Sequence, residues 1–240
     1  MMTANEVIAK AINIANNYKT LYVMGCYGAP LTPKNKVTYT HNHDYNRRAV
    51  RTKLINAAST DTFGFDCSGL IKAILWGWRG DLNHATGGAK YGSTVPDMNA
   101  DTMIKNCVAS TDFSKIVPGE LLWTNGHIGI YIGNGMAVEC TPSFDNKVQI
   151  TTVRNIKSSG PNLRTWKKHG RFRFIDYSNS APAPTQAPAT KPTKTPTDIA
   201  KEVIAGKWGV MPERKTRIEQ AGYNYNSVRA IVNRLMKEGK

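Results

Sequence analysis

The stretch "GFDCSGLIKAILWGW", residues 64–78, places a cysteine between an acidic residue and a serine, directly ahead of an apolar run. Asp66 and Ser68 are residue types that cap helices, so this pattern predicts a helix that begins near Cys67. The apolar face of this helix consists of Leu70, Ile71, Ile74, Leu75 and Trp78. A cysteine at such a position is either a small buried hydrophobe or a nucleophile, and a nucleophile requires a base from elsewhere in the chain.

The sequence on either side of this helix predicts the fold class. The N-terminus has the spacing of an amphipathic helix, with apolar residues at Val7, Ile8, Ala11, Ile12 and Ala15. A polar stretch follows over residues 31–62. Beyond the cysteine, apolar residues recur at every second position, which predicts four successive strands: "PGELLW" (118–123), "HIGIYIG" (127–133), "MAVEC" (136–140) and "VQITTV" (148–153). Helices followed by an antiparallel sheet indicate an α+β fold.

Five histidines are available as a partner for the cysteine. Four of them lie in polar or basic sequence, where solvent exposure is the expectation: His41, His43, His84 and His169. His127 alone begins a strand, so a rigid element would hold its ring. On that strand His127, Gly129 and Tyr131 share one face, and the isoleucines occupy the other. His127 is therefore the candidate base.

Glu139 is the candidate carboxylate beside this imidazole. A chain reversal centred on Gly133 would set Glu139 opposite His127, with Cβ atoms about 5 Å apart. However, Asn134–Gly135 is also a strong two-residue turn signal. A tight turn there would pair His127 with Pro142 and turn Glu139 to the other face unless a bulge intervened. The catalytic interpretation thus predicts a wider reversal. The alternative is purely structural: a buried thiol, a satisfied strand histidine and an exposed carboxylate.

Composition limits the partners. The 240 residues include 32 Lys and Arg against 17 Asp and Glu, a net charge of +15. Because the basic residues are scattered and no nucleic-acid-binding signature accompanies them, we expect a polyanion such as an anionic wall polymer rather than nucleic acid as the binding partner.

No apolar run is long enough to span a membrane. The cysteines lack metal-site spacing, so we expect no metal, no cofactor, and packing roles for the remaining three: Cys26, Cys107 and Cys140.

A proline-rich segment predicts two domains. The stretch "SNSAPAPTQAPATKPTKTP", residues 178–196, has almost nothing to bury and favours an extended spacer. We therefore divide the chain into a domain over 1–177, a linker over 178–196 and a small domain over 197–240. The small domain is predicted to form three short helices around Ile199, Val203, Ile204, Trp208, Ile218, Val228, Ile231, Val232 and Leu235.

The motifs "GFDCSGLI", "PGELLW", "GHIGIYIGNG" and "AVEC", in this order, resemble the NlpC/P60 family of papain-like cysteine peptidases. This family cuts amide bonds in peptidoglycan stem peptides, and the resemblance covers most of residues 1–177. It implies that Cys67 is the nucleophile, that His127 is the base and that Glu139 is the third polar residue. A tyrosine that helps to form the oxyanion site corresponds to Tyr22 in "YVMGCYG". We expect the helix N-terminus and a neighbouring imidazolium to favour the thiolate.

Two features depart from the family pattern. The third residue is commonly His, Asn or Gln, and a glutamate is more similar to the related CHAP amidases. The tyrosine and cysteine segments usually lie close together, whereas about forty residues separate Tyr22 from Cys67. The inserted segment is therefore a candidate for shaping substrate choice.

The C-terminal sequence "AKEVIAGKWG", with "ERKTRIEQAGYNYNSVRAIVN" downstream, resembles the Cpl-7 type of cell-wall-binding repeat found in phage lysins. The resemblance implies muropeptide binding, and the candidate contact residues are Arg214, Arg217, Tyr223 and Tyr225. Together the two resemblances imply a phage-type endolysin without a signal peptide, held in the host cytoplasm until release to the wall. The expected activity is a γ-D-glutamyl-diamino acid endopeptidase. The alternatives are an N-acetylmuramoyl-L-alanine amidase and an inactive wall-binding protein.

Overall fold

A computed structural model of the chain describes residues 1–178, 194–210, 213–220 and 225–238. Its contacts divide the chain into two compact units, Met1–Thr185 and Gln186–Lys240. Residues 179–193, which make up most of the predicted linker, lie outside the described residues. Within the described residues, no helix has both the length and the apolar character that a membrane span requires.

Within residues 1–178, the larger unit contains helices, short strands and one 3₁₀ turn at Phe113–Lys115. Its described helices are α1 (Ala4–Asn17), α2 (Pro33–Asn42), α3 (Asp44–Arg47), α4 (Ala49–Ala57), α5 (Cys67–Leu75) and α6 (Ala100–Lys105). Its described strands are β1 (Met2–Thr3), β2 (Thr20–Tyr22), β3 (Tyr27–Pro30), β4 (Phe63–Phe65), β5 (Cys107–Ser110), β6 (Leu121–Thr124), β7 (His127–Gly133), β8 (Met136–Cys140), β9 (Val148–Val153), β10 (Leu163–Arg164), β11 (Lys168–Phe172) and β12 (Ile175–Asp176).

The main sheet has seven strands in the order β10-β9-β8-β7-β6-β11-β5. Its neighbours are antiparallel except for the parallel pair β9 and β10. A three-stranded sheet, β2-β4-β3, lies earlier in the chain, and β1 pairs with β12. The four strands predicted from period-two sequence are β6 to β9. Helices packed on a largely antiparallel sheet confirm the predicted α+β class.

Both faces of the main sheet are covered, which positions the site. On one face, residues such as Ile128, Ile130 and Val138 pack with α1 and α5 in the main core, and every residue of α5 is buried. On the other face, Tyr131 and Trp166 belong to a smaller cluster. Strand β7 is therefore fixed from both sides, and a side chain at its first residue is held by a rigid element.

Residues 31–62, predicted only as a polar stretch, fold into the three helices α2, α3 and α4. Helix α2 buries none of its residues, and α4 buries only Arg51 and Ile55. These helices therefore lack the apolar stripe that reveals an amphipathic helix in sequence. Thr32 starts α2 by accepting a hydrogen bond from the Asn35 amide at 3.3 Å.

The smaller unit contains the helices α7 (Pro196–Ile204), α8 (Glu213–Gln220) and α9 (Tyr225–Glu238), which confirms the predicted three-helix domain. Its buried apolar residues are Ile199, Ala200, Val203, Ile218 and Val228. The prediction that Ile204 joins this core is wrong, because its side chain is 45% exposed at the end of α7. Trp208 packs against the core, and its indole donates a 3.0 Å hydrogen bond to Glu202.

Candidate active site

Cys67 is the first residue of α5, and Asp66 caps the helix. One carboxylate oxygen of Asp66 accepts from the Gly69 amide at 2.5 Å, and the other accepts from the Gly25 amide at 2.8 Å. A Cβ on Gly69 would lie 2.1 Å from the Cys26 carbonyl oxygen. The helix start is therefore packed tightly against the loop after β2, which fixes Cys67. Ser68 lies inside the helix rather than at the cap position.

The Cys67 thiol is 8% exposed, and its Sγ lies 4.0 Å from the carbonyl oxygen of Gly126, the residue before His127. Burial, followed by the negative charge of Asp66, raises the pKa of the Cys67 thiol to about 12. Hydrogen bonds from nearby backbone amides, including that of Ile128, oppose this shift without cancelling it. The amides of the helix N-terminus thus favour the thiolate, as expected, but burial and Asp66 outweigh them, so the net shift favours the thiol.

The hairpin between His127 and Glu139 closes on a tight turn. Asn134 and Gly135 both have positive φ, 55° and 71°, as a type I′ turn requires. The predicted wide reversal is therefore wrong. Instead, the register shifts by one residue between Tyr131 and Gly133, so that Ile130 pairs with Val138. The tight turn alone would place Glu139 on the face of the sheet opposite His127. The extra residue of the bulge shifts the pairing by one and returns Glu139 to the face of His127.

Continuing the register places Glu139 opposite Gly129, on the face that also carries His127. His127 Nε2 lies 2.6 Å from Glu139 Oε2. Glu139 is completely buried, and it also accepts hydrogen bonds from Thr151 Oγ1 at 2.7 Å and from Arg164 Nε at 2.8 Å. Burial opposes ionisation of this carboxyl, but the bonds and charges of His127 and Arg164 outweigh it and lower its pKa. The interpretation of Glu139 as an exposed carboxylate is therefore wrong.

Aromatic side chains support this pair. The His127 ring stacks on Trp166 with centroids 5.5 Å apart and an interplanar angle of 13°. The Arg164 guanidinium lies 5.6 Å from the Trp166 ring centroid and 5.2 Å from that of Phe144. Trp166 thus covers one face of the imidazole while Glu139 contacts its Nε2 edge, and together they fix the orientation of the ring.

Sequence reasoning missed Thr151, Arg164 and Trp166. Arg164 and Trp166 are two residues apart in "LRTW", where both side chains share one face of an extended segment. This spacing is the only signal in the sequence, and the segment is too short to be recognised as a strand. Thr151 lies within the correctly predicted strand β9, but nothing in the sequence indicates its partner.

Tyr22 is the last residue of β2 and pairs with Phe65, two residues before Cys67. The structure thus brings Tyr22 to the cysteine despite their separation in sequence. Its side chain is 5% exposed, and burial, followed by the charges of Cys67 and Asp66, raises its pKa. Its hydroxyl donates to the sulfur of Met24 at 3.8 Å.

The inserted helices hold this tyrosine segment. Asn46 in α3 is fully buried, accepts from the Met24 amide at 3.1 Å and donates to the Met24 carbonyl at 3.0 Å. Arg51 in α4 donates to the Tyr22 carbonyl and, at 2.7 Å, to Asn146 Oδ1. The residues between Tyr22 and Cys67 therefore include helices whose side chains hold the segment from Tyr22 to Met24 in place.

The remaining histidines lie elsewhere. His41 and His84 are exposed, as expected, and His43 is half-buried over Gly25. The expectation of a solvated His169 is wrong: it is 3% exposed and pairs with Glu120 through Nδ1 at 2.5 Å. His169 and Arg171 lie on the same face of β11 and both approach Glu120, but only the histidine ring is buried there, which the basic sequence around it does not reveal.

The three other cysteines are free and lack a neighbouring imidazole partner in the described hydrogen bonds. Burial raises the pKa of Cys26 and of Cys107 to about 12, and that of Cys140 well above its usual value. Cys67 has a similarly raised pKa, so what separates these three thiols from it is the absence of a histidine among their described partners.

The candidate wall-binding residues of the smaller unit have different surroundings. Arg214 Nε donates to the Gly209 carbonyl at 2.7 Å, and Tyr225 packs against the helical core. Arg217 is exposed, and Tyr223 lies outside the described residues. Arg214 and Tyr225 thus have structural contacts of their own, and Arg217 is the one of the described three that faces solvent.

Three solved structures are similar to the chain, each over 72% of its length. NlpC2 from Trichomonas vaginalis is 15% identical with a TM-score of 0.38, and the chain spans about half of that protein, 48%. The P60 domain of an antigen from M. avium subspecies paratuberculosis is 16% identical, with 96% of it covered and a TM-score of 0.38. The peptidoglycan hydrolase RipB from Mycobacterium tuberculosis is 18% identical, with 67% covered and a TM-score of 0.34. No curated protein matches the chain.

Two family models match the sequence itself. The NlpC/P60 family matches residues 54–168, a range that contains Cys67, His127 and Glu139, and the CW_7 repeat matches residues 197–236. The first match spans α5 and the hairpin that carries the imidazole, and the second spans all three helices of the smaller unit in part or whole. The chain therefore carries an NlpC/P60 domain over residues 54–168 and a CW_7 repeat of the Cpl-7 type over residues 197–236.

Proposed function

We propose that this protein hydrolyses an amide bond of the peptidoglycan stem peptide, with Cys67 as nucleophile, His127 as base and Glu139 as the group that orients the base. The observation that carries the proposal is the 2.6 Å contact between His127 and Glu139 beside the start of the helix that begins with Cys67. A nucleophile, a base and an orienting carboxylate in this order are what acyl transfer requires.

The first half of the reaction forms a thioester. Since Glu139 holds Nε2 of His127, Nδ1 is the nitrogen that takes the Cys67 proton as the sulfur attacks the amide carbonyl carbon. Because burial raises the pKa of Cys67, this transfer accompanies the attack. Backbone amides near Cys67 and the Tyr22 hydroxyl would donate to the oxyanion. The C–N bond then breaks, and His127 returns the proton to the leaving amine.

The second half releases the acyl product. Water attacks the thioester carbonyl while His127 takes one of its protons, and the C–S bond breaks. The thiolate then recovers a proton from the imidazolium, which restores the resting thiol. The ionised Glu139 stabilises the imidazolium in both halves, and its lowered pKa keeps it available as an acceptor at neutral pH.

The bond that we propose is the γ-D-glutamyl-diamino acid bond of the stem peptide. One observation favours the alternative, an N-acetylmuramoyl-L-alanine amidase: the third residue is a glutamate, which is more similar to the CHAP amidases. Mass spectrometry of digested peptidoglycan separates the two activities. A newly freed diamino acid amine supports the endopeptidase, and a newly freed L-alanine N-terminus supports the amidase.

We further propose that the CW_7 repeat tethers the enzyme to the cell wall, as in a phage-type endolysin that reaches the wall from the host cytoplasm. Residues 197–240 carry nine Lys or Arg and five Asp or Glu, a net charge of +4, and the rest of the chain is also basic. Anionic wall polymers would therefore attract the whole protein. Binding to purified walls, measured by co-sedimentation, should weaken as salt is added.

The decisive experiment compares the wild type with Cys67→Ala on purified peptidoglycan, by release of new amino groups. We expect a loss of at least about a thousandfold in the variant with an unchanged thermal transition. Cys107→Ala, at a thiol outside the site, is the control and should retain activity. Retained hydrolysis by Cys67→Ala would overturn the nucleophile. A wild type that binds walls but frees no amine would instead identify a non-catalytic wall-binding protein.

A further inference from the structure

Glu139 contacts two basic side chains, one histidine and one arginine. Of the described residues, His127 and Arg164 are the ones that form ion pairs with it. Arg164 uses Nε for Glu139 at 2.8 Å and donates from a terminal nitrogen to Thr141 at 3.2 Å. Its side chain is 17% exposed and lies against the rings of Trp166 and Phe144. The guanidinium is thus as firmly placed as the imidazole.

The other titratable or charged groups around the pair do not replace this cation. They are Cys67 and Asp66 at the start of α5, Cys140 next to Glu139 on β8, Asp101 of α6, which accepts from the Gly126 amide at 3.0 Å, and Lys167, which bonds Asn125 at 3.0 Å. Asp66 and Asp101 are anions, Cys67 and Cys140 are held as thiols, and Lys167 is engaged in an exposed contact.

Burying a carboxylate without a cation beside it destabilises the folded state. Its negative charge would also act on the imidazole in a medium of low dielectric constant. It would hold a proton on the imidazole, whereas the base of an acyl transfer must both take and return that proton. With Arg164 in place, the carboxylate still accepts the hydrogen bond of Nε2, but its charge is balanced on the opposite side.

We propose that Arg164 is a positioning residue of the hydrolase: it fixes the carboxylate of Glu139 toward His127 and balances its charge, so that the imidazole meets a neutral ion pair. This inference rests on the proposed roles of Cys67 and His127. Arg164 touches neither the reacting thiol nor the imidazole through a hydrogen bond, and it acts through Glu139.

The test is the pH profile of kcat/KM for Arg164→Met. An unbalanced negative charge makes each proton harder to remove from the Cys67–His127 pair. Both limbs of the profile should therefore move to higher pH by about one unit, with about a tenfold loss of activity on the acidic limb. In the double variant Glu139→Gln with Arg164→Met, neither charge remains. Its limbs should return to wild-type positions, while its rate falls with the loss of the orienting carboxylate.

Two control variants separate charge from packing. Arg154→Met removes the same charge from an exposed side chain, and it should leave both limbs of the pH profile in place. The substitution keeps the backbone hydrogen bond from the Arg154 amide to the Arg164 carbonyl at 2.9 Å. Arg164→Lys keeps the positive charge but loses the planar guanidinium. The limbs of its pH profile should therefore stay at wild-type positions, while its kcat/KM falls. If Arg164→Met lowers the rate without moving either limb of the pH profile, or if the limbs stay displaced in the double variant, Arg164 only packs and the proposal is overturned.

A second readout does not depend on hydrolysis. In the full chain at neutral pH, the ¹⁵N resonances of the His127 imidazole should move toward imidazolium values in Arg164→Met and return in the double variant. Unchanged resonances in a folded Arg164→Met protein would overturn the proposal even if the wild type is a hydrolase. A wild type without hydrolytic activity but with the expected resonance changes would overturn the proposed function and leave the Arg164 inference supported.

Discussion

Gly129 lies so close to Trp166 that a Cβ atom placed on it would be 3.0 Å from Cη2 of the indole. The same atom would be 3.3 Å from Cβ of Glu139. Both distances are shorter than ordinary van der Waals contact. The strand that starts with His127 therefore needs a glycine two residues later, because the base of the Glu139 side chain and the indole that stacks on His127 both approach the strand at that position.

We predict that Gly129→Ala impairs the site more than the fold. The added methyl group must push Trp166 or Glu139 away from His127, and overpacking of this kind costs about 1–3 kcal/mol. Activity per folded molecule should fall by about tenfold or more, since small displacements in a catalytic site are costly. Steady-state kinetics and urea unfolding measure the two effects.

Gly92→Ala is the matched control. Gly92 has a positive φ of 68° and nothing within 4 Å of its Cβ position, so alanine there strains only a loop. It should lower stability by about 1 kcal/mol while leaving kcat unchanged. Equal activity of Gly129→Ala and Gly92→Ala, each corrected for its folded fraction, contradicts the account of Gly129.

Asn46→Ala should loosen the Tyr22 segment. The side chain of Asn46 is fully buried and makes hydrogen bonds to both the amide and the carbonyl of Met24. Its removal leaves buried polar groups without partners, which costs about 2–3 kcal/mol. If Tyr22 serves the oxyanion, kcat should fall by about tenfold, because that stabilisation exists only in the transition state.

Asn42→Ala, at an exposed position in α2, is the control for this variant and should change neither quantity. Urea unfolding and kcat with saturating substrate are the measurements. A destabilised Asn46→Ala protein with wild-type kcat would show that the inserted helices support the fold without supporting Tyr22.

The sequence was sufficient to predict the helix at Cys67 and the four strands, and it names Cys67, His127 and Glu139 as candidate site residues. These features depend on local periodicity and on motifs of a few residues. It could not predict how His127 meets Glu139, because the tight Asn134–Gly135 turn and the bulge before it have opposite effects on the face of Glu139. Only their combination determines the contact.

Two further features were hidden for physical reasons. The inserted helices bury so little apolar surface that their spacing carries no helical period. The partner of Glu139 is Arg164, 25 residues later on a strand of only two residues, and an arginine in a polar segment is normally a solvated side chain. Partners that meet only through tertiary packing leave no pattern in the sequence.

Asp66→Asn should make the Cys67 thiol more reactive. Burial, followed by the charge of Asp66, raises the pKa of Cys67 to about 12, so the wild-type thiol should react slowly with iodoacetamide at neutral pH. Asparagine is also a good helix cap, and it removes the charge. We expect alkylation of Cys67, followed by peptide mass spectrometry, to become about three- to tenfold faster at a given pH.

Asp44→Asn, at an exposed carboxylate, is the control for this comparison and should leave the alkylation rate unchanged. An Asp66→Asn protein that is folded but alkylated no faster than the wild type would show that burial alone sets the reactivity of Cys67.

The buried pair of His169 and Glu120 should make stability depend on pH. Nδ1 of His169 lies 2.5 Å from Glu120 Oε2, and Nε2 lies 3.0 Å from the Asp112 carbonyl oxygen, so a protonated ring satisfies both acceptors. Burial lowers the pKa of His169, but the hydrogen bonds and charges of Glu120 and Asp112 outweigh it, and the net shift is upward from 6.5. The folded state therefore binds this proton more tightly than the unfolded chain does.

It follows that the pair stabilises the fold fully below the unfolded pKa of 6.5, and that this contribution disappears as the pH rises through the higher value of the folded state. His169→Gln should lose about 2–4 kcal/mol near the acidic end of this window, where a buried pair is broken, and less at alkaline pH. His84→Gln, at an exposed ring, should show no such trend. Urea unfolding followed by tryptophan fluorescence from about pH 6 to about pH 9 measures the difference, and a constant gap between wild type and His169→Gln across that range would show that His169 contributes packing rather than charge.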